Sequence, residues 1–306
     1  MIPGLGTRGA ERASGALRGQ NDNLGRGALF MTASALFFAG MGAGVKVAGR
    51  SLPNAEVVFF RNALGLLMLL PLLARGGIRD LATRHLKEHL VRGVAGLAAM
   101  YCFFYALAHM RLADAVLLNY SLPLFMPVIE RFWLKEPLPR GLFRTLSLGF
   151  LGVLLILKPG PGLFQPVAMV GLTAALLGAL AQVGVRRLTL TEPTTRIVFY
   201  FGVIATTVSA IPLPGVWVTP APALWLVLLA MGTLATLGQL FLTRAYSQAP
   251  AARVGPFIYA TVAFAALFDW LLWGKLPEPS SIAGAALVAV AGALALRLAG
   301  RPAPEA

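Results

Sequence analysis

A chain of 306 residues that is 58% hydrophobic, only 12% charged and has a mean hydropathy of +0.75 is too apolar for a soluble domain, whose apolar share is roughly 45 to 50%. The net charge of +14 would suit nucleic acid, but the cations sit in short segments between apolar runs, which excludes a nucleic-acid partner and points to a lipid bilayer. One cysteine, Cys102, excludes an intrachain disulfide, and no metal-ligand spacing or cofactor motif occurs, so no cofactor is expected.

In chain order, the first 24 residues are Gly-rich and basic without an apolar stretch, the pattern of a flexible cytoplasmic tail and not of a signal peptide. Ten apolar runs follow, at 26–48, 54–74, 89–110, 113–134, 141–158, 166–187, 194–212, 222–243, 252–273 and 279–298. Each has about the length that crosses ~30 Å of hydrocarbon as a helix. Between them stand Leu52-Pro53-Asn54, Glu136-Pro137-Leu138-Pro139, Pro159-Gly160-Pro161-Gly162 and Pro277-Glu278-Pro279, all unfavourable to continued helix. The 75–92 segment reads as a solvated basic loop. Open strands would leave backbone groups unsatisfied in lipid, and no alternating ten-residue pattern suggests a barrel. The expected fold is all-α, a polytopic membrane protein of ten transmembrane helices.

Of the 26 Lys and Arg residues, twenty fall in segments on the side of the N terminus, five on the other side, and Arg61 within a span. That bias predicts an inner-membrane protein with both termini cytoplasmic.

The chain also repeats. A shift of 140 residues superposes Gly44-Val45-Lys46 on Gly184-Val185-Arg186, and Trp133, Lys135 and Pro137 on Trp273, Lys275 and Pro277. A shift of 139 aligns Tyr120, Phe125 and Glu130 with Tyr259, Phe264 and Asp269, a shared Tyr-x4-Phe-x4-acid pattern. The expected division is a tail at 1–24 and five-helix repeats at 25–158 and 159–300. Five is odd, so the second repeat enters the membrane inverted, as in secondary transporters with a midplane site.

VVFFRNALGLLMLL and FFYALAHMRLADAVLLNYSLPLFMPVIERFWLKEPLPRG resemble the second helix, and the third-helix end, fourth helix and acidic hairpin, of the EamA-type unit of the drug/metabolite transporter superfamily. Glu136 matches the family's Gly-Glu hairpin, with Lys135 in place of the glycine; the second copy has Gly274-Lys275 and lacks the acid. The overall pattern looks most like the aromatic and hydrophobic amino-acid exporter branch. The resemblance implies a small-molecule exporter with alternating access and no catalytic residues. Exporters of nucleobases or neutral drugs, a channel and an accessory membrane protein are the alternatives. Protease and Schiff-base chemistry lack their motifs, so an enzyme is not expected.

Polar side chains inside spans are costly and tend to face the bundle interior. The candidates for substrate binding are Tyr101, Asn119, Tyr120, Ser121, Gln182, Thr236, Gln239, Tyr259 and Thr261, with spans one, three, four, six, eight and nine around the cavity and spans five and ten peripheral. For the hydroxyls, a bond to a helix carbonyl is the competing role. Lys46, Arg61, Glu130, Arg186, Arg244 and Asp269 are candidates for gating. Asp269 is expected to meet Lys46 or Arg61 at one face and Glu130 to meet Arg186 or Arg244 at the other, as two alternative gates.

Overall fold

The computed structural model describes residues 23–76, 81–110, 112–136, 138 and 141–299; the expected N-terminal tail lies almost wholly outside these. The helices are α1 (Leu24–Ala48), α2 (Asn54–Gly76), α3 (Leu86–His109), α4 (Leu112–Asn119), α5 (Leu122–Trp133) and α6 (Leu142–Leu157). The second half contributes α7 (Val167–Leu188), α8 (Thr194–Ala210), α9 (Leu224–Gln248), α10 (Ala251–Val254), α11 (Ala260–Trp273) and α12 (Pro279–Ala299). Among the described residues, eight candidate spans are long and apolar enough to cross a membrane, and α6 is a shorter apolar helix. The remaining expected span is divided into α4 and α5.

That division falls at Tyr120 and Ser121. Pro123 has no N–H to donate and stands in the first turn of α5, where none is needed. Ser121 Oγ donates to the Leu118 carbonyl at 2.6 Å, so the break does not leave that oxygen bare. The second half does the same thing one repeat later. There α10 passes through a 3-10 turn (Gly255–Tyr259) into α11, Pro256 opens the turn, and Thr261 Oγ1 donates to the Ile258 carbonyl at 2.8 Å. Both breaks sit at the tyrosine of the repeated pattern.

The two halves interlock. α1 packs on α9, α3 on α7, α2 on α8 and α6 on α12. Numbered as spans these are pairs 1–8, 3–6, 2–7 and 5–10, and exchanging the halves carries this set onto itself. With five spans per half, that is the two-fold relation of an inverted repeat. α6 and α12 lie against each other through Gly152 and Gly284: a Cβ added to Gly152 would stand 2.6 Å from the Gly284 carbonyl oxygen. Such close contact needs residues without side chains.

Each half also closes its broken span with a residue in the left-handed region, Lys135 at φ 58° and Gly274 at φ 65°. These are the two positions that stand at the glycine of the Gly-Glu hairpin, and the conformation explains why glycine suits them. The expected 75–92 loop is shorter than its charge suggested. Helix α3 begins at Leu86, a few residues before the expected start of the third span, so Arg92, where the expected loop and span overlapped, belongs to the helix.

A Cβ at Gly274 would meet nothing within 4 Å, which isolates the backbone contribution. Gly274→Ala should lower stability by about 1 kcal/mol, and Lys135→Gly should leave stability unchanged or raise it. Thermal unfolding of the purified protein in detergent measures both.

Candidate transport site

A cleft with about 310 Å³ of empty space, its open side included, lies between α2 of the first half and α8 and α9 of the second. Arg61, Asn62 and Gly65 come from α2, Phe201 and Gly202 from α8, Thr236 and Gln239 from α9, with Leu66, Leu69 and Val198 as apolar wall. Helices α2 and α9 approach closely here, and Thr236 Oγ1 donates to the Gly65 carbonyl at 2.7 Å. Arg61 donates from Nη1 to Asn62 Oδ1 at 2.9 Å, and its Nε lies 3.1 Å from Met41 Sδ. Behind the wall, Arg92 of α3 donates from Nη2 to Gln239 Oε1 at 2.9 Å, with its guanidinium 3.5 Å from the centre of the Phe201 ring.

Of the residues expected to bind substrate, Thr236 and Gln239 line this cleft together, and Arg61, expected at a gate, joins them. The others lie elsewhere. Tyr120 and Thr261 stand at the two helix breaks, Ser121 and Thr261 donate to carbonyls of their own turns, and Asn119 ends α4 beside them. Tyr259 is fully buried there and its hydroxyl has no partner. Gln182 accepts a hydrogen bond from Tyr246. Tyr101 shares an exposed stripe with Val91, Val94 and Tyr105 on α3, so the expectation that it points inward is corrected: helical spacing puts it on the outer face. The lining itself is also corrected. Spans two and seven take part, through Arg61 and Asn62 of α2 and Phe201 of α8. Arg92, which the sequence reading counted among loop cations, is the residue it missed, and a helix start at Leu86 was the signal.

The two ends of the bundle differ. At the end where α1 and α11 finish, Lys46 Nζ and Asp269 Oδ1 are 2.5 Å apart, with both side chains about 40% exposed, and Lys46 also rests 3.9 Å over the Trp273 ring. This is one of the pairings expected across the halves; Arg61 turns into the cleft instead. At the opposite end Glu130, 1% exposed, accepts from the backbone N–H groups of Ala251 and Ala252 at 2.6 and 2.8 Å. Among the described residues, neither expected partner forms an ion pair with Glu130. Arg186 binds Glu136 at 3.1 Å and donates to the Tyr246 carbonyl at 2.8 Å, and Arg244 is exposed. The reason is that α10 starts just opposite Glu130 and offers free N–H groups, as every helix start does. Contacts at both ends are formed at once.

Because a buried pair that loses one member leaves a desolvated charge, Glu136→Ala should cost about 3 to 5 kcal/mol. The exposed pair is worth about 1 kcal/mol or less, so Asp269→Ala should cost no more than that. Denaturant titration of the two variants in the same detergent gives the comparison.

A bundle of two inverted five-helix halves with a polar cleft between them defines the fold of a secondary carrier. The chain belongs to the EamA-like transporter family, whose profile matches it twice, at residues 25–158 and 165–297. It is 40% identical over 275 residues to the pseudopaline exporter of Pseudomonas aeruginosa, covering 88% of this chain and 95% of that protein. The riboflavin transporter of Brucella anthropi is 28% identical, over 84% of this chain and 94% of its own length. The S-adenosylmethionine uptake transporter of Rickettsia felis is 26% identical, over 79% and 83%. A solved crystal structure superposes with a TM-score of 0.77 at 20% identity, covering 89% of this chain and 98% of that one, which supports the fold.

Proposed function

We propose that this protein exports a small polar metabolite across the inner membrane by alternating access, the units 25–158 and 159–300 rocking about the cleft between them. The observation that carries the reading is the cleft, lined by Arg61, Thr236 and Gln239, in a chain 40% identical to a pseudopaline exporter. Pseudopaline or a molecule of its kind is the first-choice cargo. An aromatic or other hydrophobic amino acid is the second, favoured by the apolar wall of Leu66, Leu69, Val198 and Phe201. Counterflow in proteoliposomes tests both. Labelled pseudopaline should exchange saturably and at least about tenfold faster than phenylalanine or tryptophan, a difference of roughly 1.4 kcal/mol. No pseudopaline exchange, or equal exchange of phenylalanine, would overturn the assignment.

Both termini are taken as cytoplasmic because the basic segments lie on their side. A cysteine at Arg84 should label from the cytoplasm only, and one at Gly215 from outside only; labelling of both from one side ends this topology. In this reading the Lys46–Asp269 pair closes the outer end, and Glu130 with the start of α10 closes the inner end. Glu130→Gln should shift accessibility toward the inside, and Asp269→Asn toward the outside. Cysteine probes on either side of the cleft report it, and shifts in the same direction, or none, would remove the gates.

A further inference from the structure

Among the described residues, some buried and half-buried cations have acids to answer them. Arg186 has Glu136, and Arg196 has Glu192. Among the described residues, no carboxylate lies within ion-pair distance of Arg61, in the cleft, or of Arg92, behind its wall. Their partners are neutral: Asn62 and Met41 for Arg61, Gln239 and the Phe201 ring for Arg92. Arg92 is only 4% exposed, yet its Nε and Nη1 have no hydrogen-bond partner. A desolvated guanidinium with free donors costs several kcal/mol unless an anion arrives.

The two arginines come from opposite ends of the bundle. Arg61 is the eighth residue of α2, which starts at the Asp269 end, and Arg92 the seventh of α3, which starts at the Glu130 end. Gln239 connects them: it lines the cleft with Arg61 and accepts a hydrogen bond from Arg92. Gln239 lies between cleft and Arg92, and its side-chain oxygen already occupies the position of an acceptor. The Phe201 ring covers one side of the Arg92 guanidinium, 3.5 Å away.

We propose that Arg61 and Arg92 form a carboxylate-binding site in the transport path, selecting a cargo with two or more carboxylates. The planar guanidinium matches a carboxylate with two parallel N–H···O bonds, and exclusion of water strengthens them. A simple amino acid brings one carboxylate and one ammonium, so it neutralises one arginine and turns its own cation toward the other. A di- or tricarboxylate neutralises both. The proposal rests on the exporter reading only in calling the ligand a cargo.

The test is ligand-induced thermal stabilisation of the full chain in detergent, with propane-1,2,3-tricarboxylate as probe and its neutral triamide and phenylalanine as controls. The tricarboxylate should raise Tm, with neither control doing so. Arg61→Gln and Arg92→Gln should each weaken its apparent affinity by about tenfold or more, and Arg92→Lys, which keeps the charge without the fork, should fall between. Equal stabilisation by the triamide, or undiminished binding in the variants, overturns the site. If Arg92→Gln does not fold, Arg61→Gln decides, since Arg61 is only partly buried. Counterflow of pseudopaline on the same preparation separates the two readings. Arginine-dependent binding without counterflow keeps the site and removes the exporter; counterflow with arginine-independent binding does the reverse.

Discussion

Hydrocarbon solvates neither a peptide group nor an ion, and this constraint orders the molecule at every level. It forces the spans into helices, and it allows α4–α5 and α10–α11 to break only where Ser121 and Thr261 cover carbonyls at the break. It sends Lys46 and Asp269 to an end where water still reaches them. It also dictates that Arg186, almost fully buried, keep both a carboxylate and a carbonyl. Against that background Arg61 and Arg92 stand out, because the same rule is met around them only by amides, a thioether and a ring.

The two ends answer the constraint differently. The Lys46–Asp269 end is held by a partly hydrated pair, which exchanges one solvated state for another at little cost. The Glu130 end is held by a dry assembly of Glu130, Arg186, Glu136, Tyr246 and the start of α10, whose groups would all need water on opening. An inverted repeat makes the halves related in backbone while leaving the side chains free to diverge. Glu130 and Asp269 show the result: they occupy equivalent positions, yet one caps a helix and the other pairs with a lysine.

Much of the fold was legible in the residues. Hydropathy placed the spans to within a few residues, and the 139–140 residue repeat, with an odd span count, carried the inversion. The hairpin positions Lys135 and Gly274 were visible as a glycine exchanged for lysine, and both proved to need positive φ. The candidate site was less legible. Ser121 and Thr261 looked like ligands because a hydroxyl in a span always does, but each is used locally to repair a helix break. Arg92 was overlooked because it stood where the expected basic loop and the third span overlapped, and it was counted with the loop cations.

Sequence by itself determined what each residue must avoid: the apolar runs had to enter lipid, the prolines had to interrupt helices, and the repeat had to pair the halves. Tertiary structure alone decided which neighbour each polar group found. Glu130 bonds the start of α10, Arg186 pairs with Glu136, and Arg92 meets Gln239, 147 residues away, because those contacts depend on how helices from opposite halves are rotated and staggered. Hydropathy along a chain measures distance from water, and it carries no record of the direction a side chain takes once helices have packed.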